Sequence, residues 1–155
     1  MSGLSVGKLV PDFTLPSTGA ETFRLRAARG GPLVLYFYPR DNTPGCTLEA
    51  QDFQRLLPAF RRAGVRVCGV SRDSLEAHEK FCRQYGLGFE LLVDEKGKAC
   101  ELFDVIHEKN MYGRKLMGVV RSTFLIDAAG KLRQEWRKVK VTGHAAEVLE
   151  AAKLL

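Results

Sequence analysis

The chain has 155 residues, of which 45% are hydrophobic and 27% are charged, a composition typical of globular proteins and not of disordered or fibrous ones. No apolar run approaches the roughly 18 residues that a membrane span needs, so we expect one domain over residues 1–155 and no membrane partner. The net charge of +6 permits weak attraction to nucleic acid, but the basic residues are spread along the chain, and we expect no such partner.

The first half of the chain alternates between strand and helix signals. Turn residues interrupt the segment before residue 33, which is typical of a hairpin or an irregular lead-in. The unbroken apolar run 33–38 predicts a strand that is buried on both faces, as in a parallel sheet. A helix is predicted to begin at about Cys46, and Pro58 is expected to kink it or to end it early. A second strand over 65–70 follows.

A second helix is predicted over 74–85, with Ser74 as its N-cap. Three further strands and a final helix are predicted at 90–93, 123–127, 132–137 and about 143–154. The order β-α-β-α-β, followed by a β-hairpin and a helix, predicts an α/β fold with helices on both faces of a central sheet.

Four cysteines lie at positions 46, 68, 82 and 100, and no two of them form a C-x-x-C pair. This spacing excludes the dithiol motif of thioredoxin-type oxidoreductases and the usual zinc ribbon. The sequence starts without a recognisable export signal, so we expect a cytoplasmic location, where cysteines are more often catalytic, metal-binding or free than disulfide-bonded. We expect Cys68 to be a core residue and Cys100 to be half-buried packing. The pattern leaves Cys82 open between core and function, and His78, one turn earlier, could form a two-ligand metal patch with it.

Cys46 lies where chemistry is expected. It follows Thr43, Pro44 and Gly45 directly after a buried strand and begins the first helix. Pro44 has the φ that a first helical turn needs, and Gly45 leaves the space beside the sulfur open. A thiol in that turn faces unpaired backbone N–H groups and the positive end of the helix dipole. Both features favour the thiolate, which is the nucleophilic form.

Residues 36–47, YFYPRDNTPGCT, resemble the active-site loop of peroxiredoxins, and more narrowly that of the bacterioferritin comigratory protein or PrxQ subfamily. Residues 10–16, 121–127 and 138–145 resemble the opening of that family, its arginine-bearing strand and the approach to its last helix. The resemblance implies a thioredoxin-like fold with a mixed central sheet. It also implies a hydroperoxide substrate, thioredoxin or a similar dithiol as reductant, no metal or organic cofactor, and a monomer.

The resemblance assigns roles to individual residues. Cys46 would be the peroxidatic cysteine, which attacks a peroxide oxygen and becomes a sulfenic acid. Thr43 would hydrogen-bond the peroxide, and Pro39 would shield the sulfur. Arg121, which by itself is typical of an edge strand, would lie beside the thiolate and stabilise it with a permanent charge. Glu49, one turn after the cysteine, either orients an arginine or is a solvated helix residue.

The sequence departs from many members of the subfamily at Gln51, where they carry a resolving cysteine. A second branch has this cysteine on the next helix, and Cys82, 36 residues after Cys46, matches that branch. The resemblance therefore implies an intramolecular Cys46–Cys82 disulfide, reached by local unwinding of the helices. Two alternatives stay open: a one-cysteine peroxidase that an external thiol resolves, and a redox-responsive binding module.

Overall fold

A computed structural model describes residues 4–155. In chain order the elements are β1 (Thr14–Ser17), β2 (Glu21–Arg24), a short 3-10 helix (Leu25–Ala28), β3 (Leu33–Phe37), α1 (Pro44–Arg62), β4 (Arg66–Ser71), α2 (Leu75–Tyr85), β5 (Glu90–Val93), α3 (Lys98–Leu102), β6 (Ile106–Met111), β7 (Arg114–Val119), β8 (Ser122–Ile126), β9 (Leu132–Arg137) and α4 (His144–Lys153).

Seven of the strands form one mixed sheet in the order β2-β1-β5-β4-β3-β8-β9. Strands β3, β4 and β5 are parallel to one another, while β1, β2, β8 and β9 pair antiparallel. Helices α1, α2 and α4 pack on one face of the sheet, and the short α3 packs on the other together with the N-terminal segment. The predicted α/β class with a mixed, helix-flanked central sheet is confirmed.

Strand β3 lies at the centre of this sheet and leads directly to the cysteine loop. All five of its residues are buried, and alternate side chains enter the two core layers. Tyr36 faces the layer of α1 and α2, opposite Gly69 on β4. A Cβ atom at Gly69 would lie 2.8 Å from the Tyr36 ring and from the Leu91 side chain, so only glycine allows this close approach.

The structure differs from the sequence-based prediction in helix α1. The helix continues through Pro58 to Arg62, so the prediction that Pro58 ends it early is wrong. Pro58 is exposed, which lets water satisfy the carbonyl that loses its helical partner. Leu57 and Phe60 on the opposite side are buried in the core, and their packing maintains the helix beyond the proline.

The antiparallel pair β6 and β7 forms a separate two-stranded sheet that the sequence did not predict. Its strands are mostly exposed, and β7 carries the exposed apolar residues Leu116 and Met117, so the two strands lack the alternation of apolar and polar side chains by which strands are recognised. Tyr112 and Gly113 connect them with φ values of 53° and 78°. Positive φ at both positions is the geometry of a type I′ hairpin turn, whose usual sequence signal is Asn-Gly rather than Tyr-Gly. The hairpin expected in the lead-in is confirmed as β1 and β2.

Candidate active site

Cys46 is the third residue of helix α1 and is 2% exposed. Thr43 occupies the N-cap in an extended conformation, and its carbonyl accepts the first helical bond, from the Thr47 N–H at 2.8 Å. The N–H groups of Gly45 and Cys46 precede that ladder and are not used by the helix. The sulfur therefore lies at the positive end of the helix dipole, in the arrangement that the sequence predicted.

A guanidinium lies beside this sulfur. Arg121, which directly precedes β8, donates through Nη2 to Cys46 Sγ at 3.5 Å and through Nη1 to Glu49 Oε1 at 2.6 Å. One side chain thus links the Cys46 sulfur to a carboxylate on the next turn of the same helix. The contact places Arg121 beside the Cys46 sulfur and not on a free sheet edge.

Glu49 is 1% exposed, so it is not the solvated helix residue that the sequence left as an alternative. Burial raises the pKa of its carboxyl from 4.5 to about 7, and the charge of Arg121 opposes that rise. Among the described residues, its second oxygen, Oε2, has no hydrogen-bond partner. The carboxylate therefore orients the guanidinium through one oxygen only.

Thr43 and Pro39 lie in the loop that precedes Cys46. The Thr43 hydroxyl donates to the Arg40 carbonyl at 2.9 Å, which leaves its oxygen lone pairs free to accept a hydrogen bond. Pro39 is half-buried and lies two residues after the end of β3. The roles assigned to both residues stay predictions.

All four cysteines are free thiols, but their surroundings differ. Cys68 is completely buried, and burial raises the pKa of its thiol to about 12. Cys100 is also completely buried rather than half-buried as predicted, and burial raises its pKa as well. Both residues pack in the core layer opposite Cys46, so the prediction for Cys68 is confirmed, and Cys100 is more deeply buried than predicted.

Cys82 lies on α2 and packs against the same core layer as Cys46. It is half-buried, and burial raises the pKa of its thiol from 9.0 to about 11, although the hydroxyl of Thr18 partly offsets this effect. At neutral pH the half-buried Cys82 is thus a protonated, weak nucleophile.

The sequence did not predict the contact between two buried residues near this site, Asp41 and His78. His78 does not join Cys82 in a metal patch, because its Nδ1 lies 2.6 Å from Asp41 Oδ2 and its Nε2 lies 2.8 Å from the Leu92 carbonyl. Asp41 belongs to residues 36–47, which resemble the active-site loop of peroxiredoxins, and His78 follows the N-cap of α2 by one turn. The chain separates them by 37 residues, so no local signal indicates the contact.

Lys109 on β6 is a further cation that the sequence did not indicate. Its Nζ donates to the Val119 carbonyl across the β6–β7 hairpin. Partial burial lowers its pKa, and the neighbouring charge of Arg121 lowers it further, whereas Cys46 raises it. The hairpin thereby brings a second positive charge near the sulfur.

Comparisons with known proteins agree with this geometry. Residues 6–135 match the model of the AhpC/TSA family. Peroxiredoxin Bcp of Xanthomonas campestris is 51% identical over 142 residues, which cover 92% of this chain and 89% of that protein. A solved structure of the bacterioferritin comigratory protein of X. campestris, described for its alkyl peroxide reduction activity, is 47% identical with a TM-score of 0.90. It covers 99% of this chain and 98% of its own.

Two cysteine-to-serine variants of X. campestris Peroxiredoxin Q are also similar. Both have a TM-score of 0.91 and 48% identity, and they cover 99% of this chain and 98% or 97% of their own. No helix within residues 4–155 is both long and apolar enough to cross a membrane. The chain therefore belongs to the AhpC/TSA family and, within it, to the Bcp or PrxQ peroxiredoxins, which makes it a thiol-dependent peroxidase.

Proposed function

We propose that the chain reduces hydrogen peroxide and organic hydroperoxides with Cys46 as its nucleophile and Arg121 as its electrostatic partner. The observation that carries this proposal is the pair of contacts made by one guanidinium. Nη2 lies 3.5 Å from the Cys46 sulfur, while Nη1 is held by buried Glu49 at 2.6 Å. This geometry stabilises the attacking thiolate and keeps a donor fixed beside the reacting atoms.

The first step is the attack of the Cys46 thiolate on one peroxide oxygen. The S–O bond forms as the O–O bond breaks, which leaves Cys46 as a sulfenic acid and releases the other oxygen as water or an alcohol after it takes up a proton. Negative charge moves from the sulfur to the leaving oxygen. Arg121 and the free N–H groups of Gly45 and Cys46 offer donors along that path. Thr43 accepts a hydrogen bond from the peroxide O–H, and Pro39 shields the sulfur.

The second step resolves the sulfenic acid with Cys82. The Cys82 sulfur attacks the Cys46 sulfur, the S–O bond breaks, and the hydroxyl leaves as water with the proton of the Cys82 thiol. A matching spacing supports this assignment. The two X. campestris variants are substituted at cysteines 36 positions apart, the same separation as that between Cys46 and Cys82. Thioredoxin or a similar dithiol then reduces the disulfide.

Local unwinding must precede this second step. The Cys46 sulfur contacts Arg121, which leads into β8, whereas the Cys82 thiol faces Thr18, which follows β1. Strands β5, β4 and β3 lie between β1 and β8, and neighbouring strands are about 4.8 Å apart. A disulfide needs Cα atoms about 5.5–6 Å apart, so the segments that carry Cys46 and Cys82 must leave these positions before the two sulfurs can join. Release of Cys82 from its buried position also returns its pKa towards the ordinary value and so makes it a better nucleophile.

The cycle fits a monomer in the cytoplasm, because it consumes dithiol reductant and completes both steps within one chain. It uses no metal or organic cofactor, since the electrons pass between thiols and peroxide only. The chemistry therefore requires two partners, a hydroperoxide and a dithiol protein.

A one-cysteine peroxidase is the second candidate, and the burial of Cys82 favours it. A thiol with a raised pKa that lies away from the sulfenic acid is typical of a packing residue. In that cycle Cys46 is oxidised as above, but a thiol from outside the chain forms the mixed disulfide.

The unaltered chain, Cys46→Ser and Cys82→Ser separate these functions in one assay of peroxide-dependent thioredoxin oxidation. We expect Cys46→Ser to lose turnover completely. Cys82→Ser is expected to consume one equivalent of peroxide and then to stop. Full turnover by Cys82→Ser would contradict the resolving role and support the one-cysteine cycle. Peroxide consumption no faster than that of a free thiol would favour a binding module instead.

A further inference from the structure

A buried polar network joins the peroxidatic loop, residues 38–45, to helix α2. Asp41 accepts a hydrogen bond from the Tyr38 hydroxyl through Oδ1 at 2.6 Å, and its Oδ2 lies 2.6 Å from His78 Nδ1. The side chains of Asp41 and His78 are 5% and 0% exposed. His78 Nε2 lies 2.8 Å from the Leu92 carbonyl on β5, so the network also reaches the sheet.

The hydrogen-bond partners fix what the imidazole can do. A carbonyl oxygen can only accept, so His78 Nε2 carries a proton and donates it to Leu92. The other ring nitrogen, Nδ1, lies 2.6 Å from Asp41 Oδ2, a short contact that joins the ring to the carboxylate. Asp41, Asp73 and His78 have the atom types of a metal site, and their ligand atoms lie within 4.8 Å of one another. With Nε2 donating to Leu92 and Nδ1 in contact with Asp41, the cluster joins the peroxidatic loop to α2 and to the sheet.

Two weaker contacts strengthen the same connection. The Asp41 N–H donates to Asp73 Oδ2 at 2.9 Å, directly before α2 begins. At the other end of the helix, the Tyr85 hydroxyl donates to Asn42 Oδ1 at 3.2 Å. The loop is therefore attached to α2 near its start, in its first turn and at its last residue. Cys82 lies between the last two attachments.

We propose that Asp41 and His78 act as a latch, a positioning pair that keeps the peroxidatic loop against α2 while Cys46 reacts with peroxide. The proposal rests on the resolving role of Cys82. Movement of α2 towards the oxidised Cys46 must break the Asp41–His78 contact, since the two residues belong to the two segments that rearrange. The strength of this buried contact thereby sets how often Cys82 is released.

The latch has a chemical consequence because the Cys46 sulfenic acid has two fates. Attack by Cys82 gives the disulfide and water. Attack by the sulfenic acid on a second hydroperoxide breaks another O–O bond and gives the sulfinic acid and one more water or alcohol. The second reaction needs the folded pocket around Cys46, and the first needs the open one. A strong latch therefore favours overoxidation, and a weak latch favours the disulfide.

Asp41→Asn and His78→Asn test the latch without a change of overall shape. Each variant is driven through turnover with thioredoxin at graded hydrogen peroxide concentrations, and intact mass reports the fraction of chains that carry two added oxygens. We expect the peroxide concentration that overoxidises half of the chains to rise about tenfold. The loss of one hydrogen bond to a charged group shifts the balance between the closed and the released loop by about this factor. We also expect slower oxidation of Cys46, because the loop is less well held.

Leu132→Ala is the matched control, since it truncates a fully buried side chain in the opposite core layer. It should lower the urea midpoint of unfolding without changing the peroxide concentration for overoxidation, so general destabilisation is distinguished from a lost latch. An unchanged or lower concentration in both latch variants overturns the latch alone, provided that the unaltered chain forms the Cys46–Cys82 disulfide. Absence of that disulfide in the unaltered chain overturns the resolving role and the latch with it.

Discussion

The replacement Arg121→Lys tests the central electrostatic argument. Lysine keeps the positive charge but lacks the two terminal nitrogens with which the guanidinium contacts Glu49 and Cys46 at the same time. In the native chain one guanidinium reaches Glu49 at 2.6 Å and the Cys46 sulfur at 3.5 Å with two different nitrogens. A lysine has one ammonium group, which cannot occupy both positions. Buried Glu49 is the stronger attraction for that ammonium, so the sulfur and the leaving oxygen lose their donor. The loss of one preorganised donor lowers a rate about 10²–10³-fold, or about 2.7–4 kcal/mol.

The assay is single-turnover oxidation of the reduced protein by excess hydrogen peroxide, quenched with a sulfenic acid trap and followed by intact mass. We expect the second-order rate constant of Arg121→Lys to fall at least about a hundredfold. Arg114→Lys on the exposed strand β7 is the matched control, and its rate should stay close to that of the unaltered chain. If Arg121→Lys reacts at a rate within about threefold of the unaltered chain, a positive charge alone is sufficient, and the two separate guanidinium contacts are not needed for the reaction.

Three further predictions concern stability and are checked by urea unfolding. Because the native pKa of Glu49 is raised from 4.5 to about 7, the native state takes up a proton in that interval that the unfolded state does not, so stability should rise as the pH falls from 8 to 5, by up to about 3 kcal/mol. Glu49→Gln should remove this part of the pH dependence, and an identical slope in both proteins would refute it. Gly69→Ala should destabilise by about 1–3 kcal/mol because its Cβ meets the Tyr36 ring at 2.8 Å, and an unchanged midpoint would show that the ring moves freely. Pro58→Ala should stabilise by about 1–2 kcal/mol, since it restores an exposed helical hydrogen bond, and a loss of stability would mean that the proline has a packing role.

The parts of the fold that the sequence predicted well are those with strong local signals. The apolar run of β3 is long enough to indicate a buried strand, and Pro44 with Gly45 indicates a helix start at Cys46. Apolar periodicity gives no signal where both faces of a strand are exposed to water, and the exposed hairpin of β6 and β7 was therefore not predicted. Pro58 misled the prediction because the cost of a proline depends on whether its side of the helix is exposed, which the sequence alone does not state.

The candidate site divides in the same way. Cys46 and its helix are local features, and the sequence placed them. Arg121 lies 75 residues after Cys46, and only the resemblance to peroxiredoxins assigned it to the site. Its contact with Glu49 became visible only in the folded chain. The Asp41–His78 pair had no signal at all, because an aspartate in a loop and a histidine on a helix are ordinary residues until the fold buries them together.

The burial of the two thiols has different consequences for the order of the reaction. Cys46 is 2% exposed, and its sulfur faces a guanidinium and a helix start, the surroundings that support it as the nucleophile of the proposed first step. Cys82 faces Thr18, and burial raises its pKa to about 11, so it stays protonated and unreactive while α2 is folded. In the proposed cycle, the movement that breaks the Asp41–His78 contact also exposes Cys82 and returns its pKa towards the ordinary value. The proposed cycle therefore assigns oxidation and resolution to two conformations, in which the proposed resolving thiol becomes a competent nucleophile only after the peroxidatic loop and α2 have separated.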